Sequence, residues 1–308
     1  MTGAGPVGTV VAVVGPTAAG KSALSIALAH ALDGEVVNAD SMQLYRGLDI
    51  GTAKLTPAER DGVPHHLLDI WDVTEPVSVA EYQRLARAAV DDILSRGRVP
   101  LLVGGSGLYV RAVLERFEFP GTDPALRERL ERELAEVGPA PLYARLRAAD
   151  PAAAEGILPG NGRRIVRALE VIELTGAPFT ASLPQPTPYY PSVQLGVDLE
   201  TGLLDERIAS RVDRMWADGL VAETRELVGR GLAEGRTASR ALGYQQVLRL
   251  LAGELTESQA HDETVRATRR FVRRQRSWFR RDPRIRWLDA AEPDLIEAAL
   301  RLVPAAAR

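Results

Sequence analysis

Apolar residues in the first hundred positions alternate between continuous short runs and helical spacings. VVAVV at 10–14, EVVNA at 35–39 and VPLLVGG at 99–105 are short apolar runs typical of buried strands. KSALSIALAHAL at 21–32 and AEYQRLARAAVDDILSRG at 80–97 have the spacing of helices. Strand alternating with helix at these lengths predicts an α/β fold with a doubly wound, mainly parallel sheet. The ligand crevice of such a fold lies at the carboxyl ends of the strands.

The pattern becomes purely helical at about residue 120 and changes back near residue 188. Proline-rich borders, FPGTDP and ASLPQPTPYYPS, flank this stretch. We therefore expect an all-helical insertion domain over 120–188, set into a core domain of 1–119 and 189–308. Within that core, VQLGVDL at 193–199 predicts a strand that returns to the sheet, and one long amphipathic helix is expected over 205–228.

Positive charge is concentrated near the end of the chain. The formal net charge is -3, yet residues 266–286 contain ten arginines and one acid, Asp282. A helix is expected over 263–281, with arginines on its polar faces. Trp278 and Phe279 fall on its apolar face, where we expect core positions rather than base-stacking platforms. Clustered arginines either solvate a helix surface or neutralise phosphates, and both interpretations stay open.

Composition excludes several kinds of chemistry. The chain has no cysteine and four histidines, which excludes thiol catalysis, disulfides and cysteine zinc sites. For the adjacent His65 and His66 we expect structural roles, and any metal would be a hard cation on oxygen ligands. No stretch approaches the ~20 apolar residues that span a bilayer, and the first residues lack a basic leader. We expect a cytoplasmic protein that has no membrane partner.

The octapeptide GPTAAGKS is the first chemical signal. It fits the P-loop pattern GxxxxGKS and stands between a predicted strand and a predicted helix. In such a loop backbone N–H groups surround phosphate oxygens, Lys21 adds a positive charge and the Ser22 hydroxyl can bind Mg²⁺. Lys21 and Lys54 are the chain's two lysines. We expect phosphate to be bound by Gly15, Pro16, Thr17, Ala18, Ala19, Gly20, Lys21 and Ser22.

The P-loop alone does not identify the bond that is broken. A kinase or NTPase would place an acid at the end of a further apolar strand, where this chain has GGSG at 104–107. The acid best placed near phosphate is Asp40, which follows the second strand. Capping of a turn would also explain an aspartate there, although the strand end opens on the ligand crevice.

Seven stretches spread over nearly the whole chain together resemble the tRNA dimethylallyltransferase family, the isopentenyltransferases that act on adenosine 37 beside the anticodon. They are GPTAAGKS, NADSMQLYRGLDIGTAK, VPHHLLDI, LLVGGSGLYVRAV, NGRRIVRALEVIELTG, ALGYQQVL and RRQRSWFRRDPRIRWLD. DSMQLYRGLDIGTAK is the most specific of these, since the P-loop occurs in many unrelated proteins. The resemblance implies transfer of the dimethylallyl group from dimethylallyl diphosphate to N6 of adenosine 37, in tRNAs that read codons beginning with U. It also implies Mg²⁺ as cofactor, and we expect a monomer.

The resemblance also implies roles for individual residues. Asp40 would take the N6 proton as general base, Arg211 would hold the diphosphate, and Ser106, where the family usually has threonine, would contact a phosphate oxygen or the target nucleotide. Arg207 and Arg214, on the same predicted helix as Arg211, are expected to solvate its surface. Contacts to tRNA are implied for Asp40, Ser41, Met42, Gln43, Ser106, Arg127, Arg163, Arg164, Ile165, Val166 and Arg167. Arg163 replaces the family's usual glutamine, and an approach of Lys54 to phosphate or RNA stays open.

Three other functions are compatible with parts of the sequence. A P-loop kinase or NTPase would turn over ATP. A noncatalytic RNA-binding protein would use the arginine-rich stretch but leaves the P-loop and Asp40 unexplained. Prenyl transfer to free AMP or ADP would need neither the helical insertion nor the basic segments.

Overall fold

The computed structural model describes residues 8–179 and 187–305. The chain divides into two compact units, a core unit of Met1–Arg116 and Pro188–Arg308 and a helical unit of Phe117–Thr187. The sequence predicted an insertion domain over 120–188, and the helical unit begins at Phe117 and ends at Thr187. Positions 181–186 of the proline-rich border, and the first seven residues, lie outside the described residues.

The core unit contains a parallel sheet of six strands among the described residues. The spatial order is β3-β2-β4-β1-β5-β6, and each neighbouring pair is parallel. The doubly wound parallel fold predicted from the alternation of strands and helices is confirmed. The strands are β1 Val10–Val14, β2 Gly34–Asn38, β3 His65–His66, β4 Val99–Gly104, β5 Ser192–Asp198 and β6 Ile285–Asp289.

Helices cover the sheet and build the helical unit. In chain order they are α1 Lys21–Leu32, α2 Val79–Ser95, α3 Gly107–Leu114, α4 Pro124–Val137, α5 Pro139–Ala149, α6 Pro151–Glu155, α7 Gly162–Thr175, α8 Thr201–Ala217, α9 Leu220–Gly229, α10 Tyr244–Leu251, α11 Glu257–Phe279 and α12 Leu295–Leu302, with a 3₁₀ turn at Ala238–Arg240. Helices α4 to α7 belong to the helical unit, whose own core includes Leu130, Leu146 and Leu169.

Strand β1 shows why the sheet is covered on both faces. Val10, Ala12 and Val14 pack into one hydrophobic cluster with residues of α2, whereas Val11 and Val13 pack into a second cluster with residues of α1 and α8. Successive side chains of a strand point to opposite faces, so a strand with no polar residue must be buried on both.

Two helices differ from the sequence prediction. The single helix expected over 205–228 is two helices, α8 and α9, because Gly219 adopts φ 101° at the boundary, a conformation that only glycine enters readily. Helix α11 begins several residues before the predicted Glu263, at Glu257. There the Thr256 side chain accepts the Gln259 N–H, and the Gln259 side chain accepts the Thr256 N–H in return.

Candidate active site

The P-loop lies at the carboxyl end of β1, which is flanked by β4 and β5. Gly15 has φ 140°, and an added Cβ would lie 2.1 Å from the Val197 carbonyl oxygen, so only glycine lets the chain pass the end of β5. Gly20 has φ 98° and precedes α1, whose first residue is Lys21. The Lys21 ammonium donates to the Pro16 carbonyl at 2.7 Å. The loop therefore folds back on itself and keeps its lysine at the strand end.

An open cavity of about 590 Å³ lies beside the P-loop and is lined by several cationic side chains. Lys21 and Ser22 line it from α1, and Arg207, Arg211 and Arg214 line it from one face of α8. Arg207 and Arg214 thus share the cavity with Arg211, beyond the surface role that the sequence suggested for them. Among the described residues that line this cavity, Glu206 is the one acid.

Burial perturbs two of these cations. It lowers the pKa of Lys21 to about 8; nearby Asp40 opposes this shift and Arg211 adds to it. Burial also lowers the pKa of Arg211 below its usual value. Desolvated cations with few anionic neighbours gain most from a bound anion, so the cavity suits a diphosphate or a similar group.

Asp40 lies in a second cavity, of about 570 Å³, next to the first. Its carboxylate accepts the Met42 N–H at 2.9 Å, and its own N–H donates to Asn38 Oδ1 at 2.9 Å. The turn-capping role considered from the sequence is therefore present, and it leaves the carboxylate on the cavity wall. Arg211 lines both cavities, so a carboxylate and an anion-binding face are neighbours.

Ser106 stands opposite Asp40 because β2 and β4 are neighbouring strands. Its hydroxyl accepts the Ser41 N–H at 3.3 Å and lies 3.4 Å from Ser41 Oγ. Both serines line the Asp40 cavity together with Met42. The structure thus brings together Asp40, Ser41, Met42, Ser106, Arg211 and Thr17, all from loops that follow strands or from α8.

Gln43 and Arg211 share one acceptor. The Thr52 carbonyl accepts Gln43 Nε2 at 3.1 Å and an Arg211 guanidinium nitrogen at 3.0 Å. Gln43 is therefore turned toward the loop that holds Arg211, and this amide contact orients it within the protein.

The loop around Thr52 is fixed by side chains for which the sequence did not predict this role. Lys54 is buried and donates to Asp49 Oδ1 at 2.6 Å, Asp69 Oδ1 at 2.5 Å and the Tyr45 carbonyl at 2.8 Å. The suggested approach of Lys54 to phosphate or RNA is wrong, because all three ammonium protons have partners inside the protein.

Two further side chains hold the same loop from α9 and α10. The Ile50 N–H donates to Glu223 at 3.0 Å, and the Gly51 N–H donates to the Tyr244 hydroxyl at 3.1 Å. That hydroxyl donates in turn to Glu223, and burial raises the pKa of Glu223 above its usual value. The pair satisfies two backbone donors of the loop that presents the Thr52 carbonyl to Arg211.

Gln275, on α11, joins the two loops of the site. Its Oε1 accepts the Thr17 N–H at 3.0 Å and its Nε2 donates to the Gly105 carbonyl at 2.9 Å. Gly105 gives it room, since an added Cβ would lie 2.2 Å from Gln275 Nε2. The one sequence signal for this role is a polar residue on the apolar face of the arginine-rich helix.

The prediction that Trp278 and Phe279 both lie in the core is half right. Phe279 is buried, but Trp278 is 37% exposed and lines the Asp40 cavity. Its indole packs on Gly107, where an added Cβ would lie 2.0 Å from Trp278 Nε1. Glycine at 107 therefore seats the tryptophan beside Ser106.

The remaining predicted tRNA-binding residues belong to the helical unit. Arg127 and Arg167 both pair with Glu170, whose side chain is fully buried. Ile165 and Val166 are buried in the core of the helical unit, so their side chains are not available to RNA. Arg163 and Arg164 are exposed at the start of α7.

His65 and His66 form strand β3 and make contacts within the core unit. The His65 ring contacts the Val63 carbonyl at 2.8 Å, and the His66 ring contacts Glu35 at 2.7 Å. Within residues 8–179 and 187–305, no group of three or more histidine, aspartate or glutamate side chains is arranged to hold a metal ion. Every helix in these residues is too short or too polar to cross a bilayer.

Similarity to known proteins agrees with this geometry. The chain is 85% identical to the tRNA dimethylallyltransferase of Salinispora arenicola, over 98% of this chain and 88% of the relative. It superposes with a TM-score of 0.70 on the crystal structure of the tRNA isopentenylpyrophosphate transferase of Bacillus halodurans, which is 42% identical, over 95% of this chain and 93% of that one. A eukaryotic dimethylallyltransferase acting on tRNA gives a TM-score of 0.82 at 27% identity, over 96% of this chain and 77% of that one.

The family match covers most of the chain. Residues 43–282 match the family described as IPP transferase. The resemblance noted in the sequence is confirmed, and the enzyme class that it implied, a prenyltransferase, is confirmed with it. The chain belongs to the IPP transferase family.

Proposed function

We propose that this enzyme transfers the dimethylallyl group of dimethylallyl diphosphate to N6 of adenosine 37, in tRNAs that read codons beginning with U. The observation that carries the proposal is the pair of neighbouring cavities: one collects cations around a P-loop, the other contains a carboxylate, and Arg211 lines both. An anionic leaving group and a proton acceptor are what this transfer needs. In the reaction the N6 lone pair attacks the allylic carbon, the bond from that carbon to the diphosphate oxygen breaks with its electron pair, and N6 loses a proton.

The cationic cavity supports binding of the leaving group. Lys21, Arg211 and the backbone N–H groups of the P-loop would stabilise the charge that grows on the departing diphosphate, an electrostatic contribution of the oxyanion-hole type. Arg211 is held in place by the Thr52 carbonyl. Prior fixation means that the guanidinium need not reorganise as the bond breaks.

Mg²⁺ fits the donors in this cavity. The Ser22 hydroxyl is exposed at the first turn of α1 and opens on the cavity, and Mg²⁺ typically takes one or two protein ligands and completes its shell with water and substrate phosphates. Ser22 would hold the ion, which would neutralise part of the diphosphate charge.

The Asp40 cavity supports binding of the acceptor and of the prenyl chain. A volume of about 570 Å³ is within the usual range for small-molecule sites. Met215, Phe271 and Trp278 supply apolar wall, which suits the five-carbon chain. Asp40 would take the N6 proton. Ser106, which lines the same cavity and bonds the Ser41 N–H, would contact the nucleotide.

The target adenine must leave the anticodon stack before N6 can react. Arg163 and Arg164 are exposed in the helical unit and suit contacts to the tRNA backbone. Arg127 and Arg167 form ion pairs with the buried Glu170. They would support tRNA binding by stabilising the fold of the helical unit. We propose a monomer that works in the cytoplasm.

A labelled donor tests the proposal. Purified enzyme is incubated with Mg²⁺, radiolabelled dimethylallyl diphosphate and an unmodified anticodon stem-loop, beside a stem-loop with guanosine at position 37 and beside AMP. We expect label only on the RNA that has adenosine 37. Label on AMP would assign the enzyme to the branch that modifies free nucleotides, and hydrolysis of ATP without label transfer would support the P-loop kinase or NTPase alternative.

A further inference from the structure

Arg211 depends on one protein contact for its orientation. Among the described residues its guanidinium forms no ion pair, and the Thr52 carbonyl, at 3.0 Å, is its one hydrogen-bond acceptor. The guanidinium lines both cavities of the site. A planar guanidinium binds phosphate oxygens well only when its donors are aligned with them. The position of the Thr52 carbonyl therefore sets the direction in which Arg211 meets an anion.

The carbonyl belongs to a turn, residues 50–52, which lies outside every helix and strand. No ladder of backbone hydrogen bonds fixes such a segment, so its backbone groups need other partners. The Ile50 N–H donates to Glu223 at 3.0 Å, and the Gly51 N–H donates to the Tyr244 hydroxyl at 3.1 Å. Two side chains thus fix the backbone immediately before Thr52.

Tyr244 also packs directly on this turn. An added Cβ at Gly51 would lie 2.4 Å from Tyr244 Cε2, so glycine at 51 lets the ring touch the backbone. Tyr244 is fully buried, and its hydroxyl donates to Glu223. It belongs to ALGYQQVL, a stretch for which the sequence suggested no role of its own. Ring, hydroxyl and carboxylate together hold the 50–52 turn.

The break at Gly219 brings Glu223 to the turn that Arg211 contacts. Arg211 is on α8 and Glu223 is on α9. In one continuous helix these residues, 12 positions apart, would be separated by about 18 Å along the axis. Because the chain changes direction at Gly219, where φ is 101°, the two side chains contact opposite ends of one short segment, Thr52 and Ile50.

We propose that Glu223 and Tyr244 are positioning residues for the transfer: by fixing the 50–52 turn they hold the Thr52 carbonyl where it directs Arg211 at the departing diphosphate. The inference rests on the proposed function, because it takes Arg211 to bind that leaving group. Within the described chain neither side chain lines either cavity, so both act through Arg211. A donor that is already oriented stabilises a developing anion without reorganising, and a displacement of about 1 Å can cost about 10²-fold in rate.

Tyr244→Phe tests the hydroxyl, because it keeps the ring that packs on Gly51. We expect kcat/KM for dimethylallyl diphosphate to fall about 10- to 100-fold. The matched control is Tyr190→Phe. Tyr190 is also fully buried and donates to a carboxylate, Asp91 at 2.8 Å, but its hydroxyl bonds α2 rather than the 50–52 turn. A wild-type kcat/KM in Tyr244→Phe, or an equal loss in the control, would overturn the proposal.

A double-mutant cycle tests whether the effect passes through Arg211. Tyr244→Phe is combined with Arg211→Met, and kcat/KM for the donor is measured for both single variants and the double variant. If the hydroxyl acts by orienting Arg211, Tyr244→Phe should cost nothing further once the guanidinium is gone. A general loss of stability would lower activity by the same factor in both backgrounds, so losses that multiply would overturn the positioning role.

Glu223 is tested by a pair of substitutions. Glu223→Gln keeps an oxygen that can accept the Ile50 N–H and the Tyr244 hydroxyl, whereas Glu223→Ala keeps none. We expect Glu223→Ala to lower kcat/KM at least as much as Tyr244→Phe, and Glu223→Gln to recover most of the loss. Glu226→Ala, at an exposed glutamate of the same helix, should match wild type. Equal losses in Glu223→Gln and Glu223→Ala would contradict a role that depends on hydrogen bonding.

Failure of this inference differs from failure of the proposed function. If the wild-type enzyme labels adenosine 37 and the losses in the cycle multiply, only the positioning role is wrong. If the wild-type enzyme transfers no label to RNA, the proposed function itself is wrong.

Discussion

The chain's two lysines, Lys21 and Lys54, lie in surroundings that differ in their supply of negative charge. Lys54 donates to two carboxylates and a backbone carbonyl, and 3% of its side chain is exposed. Lys21 donates to the Pro16 carbonyl, forms no ion pair in the described part of the chain, and opens on a cavity that three arginines also line. Burial lowers its pKa to about 8.

This difference separates a lysine that stabilises the fold from one that binds a ligand. The protein supplies every partner that Lys54 needs, so its charge is already compensated. Lys21 carries a charge that the protein compensates poorly, and an anion from outside completes its site. Both positions are lysine in a chain whose other basic side chains are almost all arginine, so residue type alone could not distinguish these roles. The number of protein acceptors around each ammonium distinguishes them.

Replacing Asp40 should have the largest effect on activity. The result shows whether Asp40 acts as a proton acceptor or mainly as a counter-ion of Lys21. Asp40→Asn keeps an oxygen for the Met42 N–H and removes the proton acceptor, so kcat should fall about 10²- to 10⁴-fold, with the Kd for tRNA unchanged. Steady-state kinetics with a labelled donor measure this. If Asp40 were mainly a counter-ion of Lys21, the KM for the donor would change and kcat would not.

Replacing Lys21 should cost activity and spare the fold. Lys21→Met should lower kcat/KM for dimethylallyl diphosphate about 10²- to 10³-fold, the usual cost of losing one preorganised donor to a developing anion. Urea unfolding should give a free energy of unfolding no lower than that of wild type, because the lost ammonium was already desolvated. A clear loss of stability would place Lys21 in the same class as Lys54.

The matched substitution Lys54→Met should show the opposite pattern. Removing one partner of a fully buried ion pair costs about 3–5 kcal/mol. Asp49 and Asp69 are about half exposed and can rehydrate, so we expect a loss of about 2 kcal/mol in the free energy of unfolding. Unchanged stability together with a large loss of activity would contradict the structural role of Lys54.

The smallest expected effect is the pH dependence of kcat/KM for dimethylallyl diphosphate. The lowered pKa of Lys21, about 8, means that the free enzyme loses this positive charge as the pH rises through 8. We expect kcat/KM for the donor to be level below that pH and to fall about tenfold per unit above it. Lys21→Arg should remove this inflection, since a guanidinium stays charged above pH 12. An inflection that persists in the arginine variant would belong to another group.

The hydrophobic pattern was sufficient to predict those elements in which the apolar residues are the buried residues. Strand β1 is apolar throughout because both of its faces are covered, and α2 has a clear apolar face, so both could be predicted. Strand β3 has two residues and β6 contains the exposed Arg286 and Asp289, so neither gives a recognisable run. The break at Gly219 was missed because the apolar spacing continues across it.

The candidate site also contains some residues that the sequence could predict and others that it could not. The P-loop, Asp40 and Ser106 follow strands within a few residues, so the sequence places them at one edge of the sheet. Gln275 could not be found in this way, because its bond to Thr17 joins residues 258 positions apart. The ion pairs of Arg276 with Asp198 and of Arg284 with Glu115 likewise join residues that are far apart in the sequence.

Stoichiometry is the most direct test of the central claim that the P-loop binds a leaving group. A single-turnover reaction with donor labelled in both its prenyl and diphosphate parts should release one diphosphate for each prenylated adenosine, with Lys21→Met slowing both events equally. Release of diphosphate without a prenylated adenosine, or transfer of phosphate to the RNA, would contradict the account.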